Sequence, residues 1–145
     1  MTYYPIFLDI AGKPVVVVGA GKVALRKTRG LVEAGARVTV VAPRAEAEFG
    51  ELDVVIRRRA FRSSDVRGAV LAFAATDDRR VNHRVALAAG RLGIPVNVAD
   101  APGECAFIVP ARIRRGNLQI AVSTGGESPR LAAALRRKIE KSLWR

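Results

Sequence analysis

The feature that most restricts this chain is the passage from Val15-Val16-Val17-Val18 through Gly19-Ala20-Gly21-Lys22-Val23-Ala24 into a segment of helical periodicity. Four β-branched residues in a row, with no polar alternation, suit a strand covered on both faces. From Gly21 to about Ala34, the residues Ala24, Leu25, Thr28 (through its methyl group), Leu31 and Val32 return at helical spacing, and Gly35 supplies a left-handed stop. Val38-Thr39-Val40-Val41-Ala42 then reads as a second buried strand, closed by Pro43. The whole is one strand–helix–strand unit, with a connection long enough to set its two strands parallel.

The alternation continues. Asp53-Val54-Val55-Ile56 reads as a third strand, Ala69 to Ala74 as a fourth, Pro95 to Ala99 as a fifth and Phe107-Ile108-Val109 as a sixth. A helix from about Arg79 to Leu92 puts Val81, Val85, Ala88, Ala89 and Leu92 on one face and ends at Gly93 and Pro95. After Pro110 the pattern shifts. Arg112 to Asn117 reads as a turn, Leu118 to Ser123 as an alternating strand, and a last helix opens with Ser128 as N-cap and Pro129 in its first position. Leu131, Leu135 and Ile139 form its apolar stripe. Such alternation predicts an α/β fold, a Rossmann-like doubly wound parallel sheet over residues 1–112, with a small strand–helix segment over 113–145.

A length of 145 residues suits one compact domain with a small appendage, and a half-hydrophobic, 26% charged composition excludes disorder. No apolar run reaches the roughly 18 residues of a membrane span. The opening Met1-Thr2-Tyr3-Tyr4-Pro5 lacks the basic and apolar regions of a secretory signal, and a single cysteine, Cys105, excludes an internal disulfide framework. The expected location is the cytoplasm, with no membrane partner. A net charge of +12, from 25 basic and 13 acidic residues, attracts anions of any kind: nucleic acid, acidic lipid or a small polycarboxylate. Twenty of the 25 are arginine, so a surface habit of the source organism explains the same number, and charge leaves the ligand open.

The turn carries more chemistry. Gly-x-Gly-x-x-Ala between a strand and a helix is where such folds hold a pyrophosphate. Gly19 permits the tight turn, a side chain at Gly21 would meet the phosphates, and Ala24 lets helix and strand pack closely. The helix N-terminus adds free N–H groups and the positive end of its dipole. The same glycines can also serve chain geometry alone. An acid at the end of the second strand would hold the ribose of NAD, but that place reads Val41-Ala42-Pro43-Arg44. Arg44 accepts the 2′-phosphate of NADP, lies on the adenine or points into solvent; the pattern leaves NAD and NADP open. His83 falls on the outer side of its helix with no second histidine for a common metal site, so no metal is expected. Cys105 has no His or Asp partner close in sequence and reads as packed. Arg57-Arg58-Arg59 with Arg62 lack interleaved aromatics and read as a solvated strand end, so no nucleic-acid partner is expected.

Four blocks together resemble one family. They are Tyr4 to Asp9 with Val17 to Lys27, then Ala74-Ala75-Thr76-Asp77-Asp78, then Val96 to Pro102, and last Ala121 to Pro129. In this order and spacing the chain resembles the precorrin-2 dehydrogenases of sirohaem synthesis, which include the N-terminal module of sirohaem synthases and in some members act as sirohydrochlorin ferrochelatases. The resemblance implies NAD as cofactor and oxidation of precorrin-2 to sirohydrochlorin, with iron insertion in some members. It places NAD contacts at Gly19, Gly21, Lys22, Val23, Pro43 and Arg44, and Thr76 and Asp77 near the nicotinamide half. It makes Asp100 the key acid, since hydride loss leaves positive charge on the macrocycle that a carboxylate stabilises before taking a proton. Without the family, Asp100 is an ordinary turn residue ahead of Ala101-Pro102.

The substrate that the resemblance implies is a polycarboxylate, which makes Arg112, Ser123, Thr124 and Gly125 candidate contacts, with Arg114 and Arg115 nearby. Ordinary capping by Ser128 accounts for part of the same loop. The family pairs through the segment after the nucleotide domain, so a homodimer formed by about Ile113 to Arg145 is expected. Members continue past that point into a helical region that this sequence does not contain. One competing reading is a nucleotide-sensing regulatory domain of a transporter, which would usually end its second strand in an acid. Another is nucleic-acid binding by the basic surface, which would show steep salt dependence.

Overall fold

The valine run lies at the centre of its sheet, as a strand with no polar side must. In the computed structural model, which describes residues 1–144, β1 (Pro14–Val18) pairs in parallel with β2 (Arg37–Val41) on one side and β4 (Leu71–Ala74) on the other. β3 (Val54–Arg57) and β5 (Val96–Val98) complete a five-stranded sheet in the order β3-β2-β1-β4-β5. The helices α1 (Lys22–Glu33) and α2 (Arg79–Arg91) follow β1 and β4. Strand alternation divides the valines between two cores. Val15 and Val17 pack with Ala24, Leu25 and Leu31 of α1, and Val16 and Val18 with Val85, Ala88 and Ala89 of α2. Each fully buried valine contributes roughly 1.5–3 kcal/mol. This is the doubly wound Rossmann-like fold expected from the strand–helix alternation.

Two compact units divide the chain: Ile6–Phe107, and Met1–Pro5 with the chain from Ile108 onward. In the second unit β6 (Ala111–Arg115) and β7 (Leu118–Val122) form an antiparallel hairpin beside α3 (Pro129–Leu143). Ser128 caps α3, its hydroxyl accepting from the Leu131 amide at 3.2 Å, and Pro129 takes the first position as expected.

Several expectations need correction. No sixth strand forms at Phe107-Ile108-Val109. The Ala106 amide donates to Val96 O and the Asn97 side chain takes Phe107 O, so the contact with β5 is made by isolated bonds, and Pro110 has no donor with which to extend a ladder. The stretch read as a turn, Arg112 to Asn117, is mostly β6; only Gly116-Asn117 turns, with Gly116 at φ 58° in the first central position of a two-residue hairpin. Arginines on both sides of buried Ile113 are the outward half of a strand alternation. Leu92 is the C-cap of α2 and exposed, and Leu131 and Leu135 are also exposed, so α3 packs within its unit through Ala132.

The run Arg57-Arg58-Arg59 is also more than a solvated strand end. Asp65, in a short turn at Ser63–Val66, has a side chain only 1% exposed and accepts from Arg59 Nη2 at 2.6 Å, Arg57 Nη1 at 3.1 Å and the Arg62 amide at 2.8 Å. The Arg59 bond, acting against burial and helped by the Arg62 amide and Arg57, holds its carboxyl down at about 2 from 3.8. A carboxyl depressed in the folded state stabilises above its unfolded value and loses that contribution as pH falls through the folded one. Unfolding free energy is therefore expected to drop by about 2 kcal/mol between pH about 4 and about 2 through this residue alone. Urea titrations across that window should show Asp65→Asn starting lower and losing less.

Candidate functional site

The two glycines of the turn are needed for different reasons. Gly19 has φ 109°, and a Cβ there would lie 2.4 Å from the carbonyl oxygen of Ala75, so the fold itself excludes any side chain. Gly21, the N-cap of α1, has φ −85°, which every residue adopts, and open space where its Cβ would stand. Nothing in the chain requires glycine at Gly21. The helix it opens has no side-chain cap and no acid in its first turn, whereas α2 is capped by Asp78 and α3 by Ser128. Its first amides therefore have no side-chain cap, with open space beside Gly21 and apolar Val23 43% exposed. These features fit the diphosphate of a dinucleotide: bare amides, a positive helix end and no competing carboxylate.

The neighbouring strand ends are tied to this turn. The Gly19 amide donates to Val41 O at the end of β2, the Ala75 amide to Val18 O, and the Ala99 amide to Ala74 O. The Glu46 amide donates to Ala20 O at 3.0 Å, which fastens the exposed loop of Pro43 and Arg44 to the glycine turn. Between β1 and β4 the strand order reverses direction, the crevice where open parallel sheets bind ligands. Lys22 and Val23 lie on one side of it and Thr76 and Asp77 on the other, so the eight nucleotide-contact residues singled out from the sequence share one sheet edge.

Asp100 sits at the same edge, two residues past β5. Its Oδ1 accepts from Arg79 Nη1 at 2.8 Å and from Asn82 Nδ2 at 3.0 Å, while its Oδ2 has no protein partner among the described residues. Arg79 also donates through Nη2 to Glu104 Oε2, and Glu104 Oε1 lies 3.0 Å from His83 Nδ1. Burial pushes Glu104 up, but the Arg79 and His83 bonds outweigh it and hold its carboxyl below the ordinary value. His83 is thus a surface residue, as its helical position suggested, with a carboxylate partner. Cys105 packs at the base of the same loop, its sulfur accepting from the Val98 amide at 3.1 Å.

Sequence reasoning missed Asn82, Arg79 and Lys27. Asn82 lies on the buried stripe of α2, three residues before Val85, and a polar residue at such a place was a legible signal. Lys27 had none. Its Nζ donates to Asn97 Oδ1 at 2.9 Å and stands 5.7 Å from the Phe73 ring centroid. Burial first, then Arg26, lowers its ammonium below the usual range, against an upward pull from Cys105.

Arg112, Ser123, Thr124 and Gly125 belong to the second unit. Ser123 Oγ accepts from the Gly125 amide at 3.0 Å, and Thr124 Oγ1 accepts from the Ser128 amide at 2.9 Å, so both hydroxyls serve the loop that leads into α3. Arg112 lies on β6. Among the described residues, no cluster of His, Cys, Asp and Glu could hold a metal ion, and no helix is long and apolar enough to cross a membrane.

Comparison with known proteins agrees with this arrangement. Residues 6–111 match a family model described as putative NAD(P)-binding, and residues 115–142 match one described as sirohaem biosynthesis protein central. A solved structure of SirC, a precorrin-2 dehydrogenase, superposes with a TM-score of 0.80 at 32% identity, covering 97% of this chain and 69% of that one. The chain belongs to the precorrin-2 dehydrogenase and siroheme synthase family. Family relatives include the siroheme synthases of Ectopseudomonas mendocina, 49% identical, and Methylococcus capsulatus, 51% identical, each over 97% of this chain. The chain spans about a third of those relatives' length, 31% and 30%. D-lactate dehydrogenase from Escherichia coli, at 18% identity and a TM-score of 0.54, shares the fold alone. None of these matches speaks for a transporter's regulatory domain.

The contrast between the two glycines is directly measurable. Gly19→Ala is expected to cost more than about 2 kcal/mol of stability, because the left-handed backbone and the Ala75 carbonyl both oppose a Cβ. Gly21→Ala should stay within about 1 kcal/mol of the parent, the scale of an N-cap exchange. Thermal unfolding of both variants checks this.

Proposed function

We propose that this chain binds NAD in the crevice at the carboxyl ends of β1, β2 and β4 and oxidises precorrin-2 to sirohydrochlorin, with Asp100 as proton acceptor. The observation that carries the reading is the uncapped helix start at Gly21, with open space beside it, on the same sheet edge as a carboxylate with one uncommitted oxygen. Kinship with a precorrin-2 dehydrogenase over nearly the whole chain supports the substrate. Residues 1–112 act as the nucleotide domain and 113–145 as a dimerisation segment, in a cytoplasmic homodimer.

Gly21, Lys22 and Val23 bind the diphosphate through main-chain amides, Gly19 makes the turn that brings the phosphates close, Pro43 and Arg44 flank the adenosine, and Thr76 and Asp77 flank the nicotinamide. NAD, when bound, supplies the hydride acceptor. The substrate loses one hydride and one proton in all, and Asp100 Oδ2 takes the proton while Arg79 and Asn82 hold Oδ1. Arg112, Ser123, Thr124 and Gly125 hold substrate carboxylates, and the net positive charge concentrates the polyanion near the protein.

Protein mixed with precorrin-2 and NAD should produce NADH absorbance and the sirohydrochlorin spectrum together. Asp100→Ala should lower turnover on the order of a hundred-fold or more while NAD still binds, and unchanged turnover would remove Asp100 from the mechanism. Gly21→Ala should instead weaken NAD binding, read by calorimetry. Pairing is supported by the uncovered apolar stripe of α3, with Leu131 50%, Leu135 39% and Leu143 50% exposed. Sedimentation should give a dimer, and a monomer at high concentration would contradict it.

A further inference from the structure

We propose that Asn82 is a positioning residue for the reaction assigned to Asp100: its buried amide dictates which carboxylate oxygen stays bound to protein and which is left to take the proton. The inference rests on the reading of Asp100 given above. Asn82 is 0% exposed, within the first turns of α2. A buried amide in a helix is costly unless all its bonds are made. Here they are. Oδ1 accepts from the Thr76 amide at 3.1 Å and the Thr76 hydroxyl at 2.7 Å, and Nδ2 donates to Thr76 O at 3.1 Å and to Asp100 Oδ1 at 3.0 Å. That exhausts two donors and the two lone pairs of the acceptor.

The other bond to Asp100 comes from Arg79, in a pair exposed by 43% and 40%, a setting where ion pairs hold weakly and side chains stay free to turn. The buried amide is therefore what resists rotation of the carboxylate. It also joins Thr76, on the proposed nicotinamide side, to Asp100, so one side chain keeps the hydride and proton positions in register. Three of the four bonds go to Thr76, so a purely structural role, stapling β4 to α2, makes a different prediction.

Asn82→Asp retains acceptors for the Thr76 amide and hydroxyl but has no donor for Asp100. Asn82→Ser is a second variant, with a hydroxyl near Thr76 too short to reach the carboxylate. Both are assayed after their thermal transitions are matched to the parent's. A positioning role predicts a kcat lower by on the order of ten- to a hundred-fold in each, with KM for NAD nearly unchanged. It also predicts that Asn82→Asp costs little further in an Asp100→Asn background, since the two act as one unit. A raised KM for NAD with kcat retained, or a full additional loss in the Asp100→Asn background, overturns the inference while the role of Asp100 stands. Full activity of Asp100→Asn and Asp100→Ala overturns that role first.

Discussion

The close approach of the Gly19 main chain to the carbonyl of Ala75 is the constraint on which the rest depends. β1 and β4 lie side by side, and the chain leaves their ends in opposite directions, one into α1 and the other toward α2. The two departures meet at a distance that admits no Cβ. Because Gly19 yields that space, its amide closes onto Val41 and that of Ala75 onto Val18, and the ends of β1, β2 and β4 form one rigid rim. The amides of α1, the loop of Arg44, Thr76 and Asp100 are all set by that rim. Gly21 then leaves an opening that the chain does not use for itself.

The few acids are placed with equal economy. Asp65 is buried among arginines and amides at the end of β3 and stabilises the fold. Asp100 meets one arginine and one amide, both through the same oxygen, and remains partly exposed. The same pair of residue types thus has two uses, decided by how many donors converge and how much water is excluded. Arginine in this chain is in part structural: Arg57, Arg59 and Arg79 are each committed to a carboxylate, so only part of the +12 charge is available to draw in an anion.

Much of the fold was legible because its strands are buried on both faces and its glycines stand at obligatory places. Val15 to Val18, Val38 to Val41 and the helix after Gly21 follow from pattern alone, and the blocks around Gly19, Thr76, Asp100 and Ser123 carried the family. Legibility failed where a local pattern was overruled by a contact distant in sequence. Phe107 reads as a strand residue but its carbonyl is captured by Asn97, and its ring lies edge-on to Phe73 with centroids 5.5 Å apart. Arg57 and Arg59 read as solvated, yet both pair with the buried carboxylate of Asp65, which lies past the strand. Lys27 gave no sign at all, since its partner Asn97 is 70 residues away. Alternation of Arg with Ile113 was a strand signal hidden by its charge.

The central claim, that main-chain amides after β1 hold a dinucleotide whose nicotinamide faces Asp100, is tested most directly by a crystal structure of the complex with NAD. The account predicts diphosphate oxygens within hydrogen-bonding distance of the amides between Gly21 and Val23, and the nicotinamide ring on the Thr76 side, turned toward Asp100. Density for the dinucleotide elsewhere, or a crevice that stays closed by side chains at saturating NAD, would contradict it.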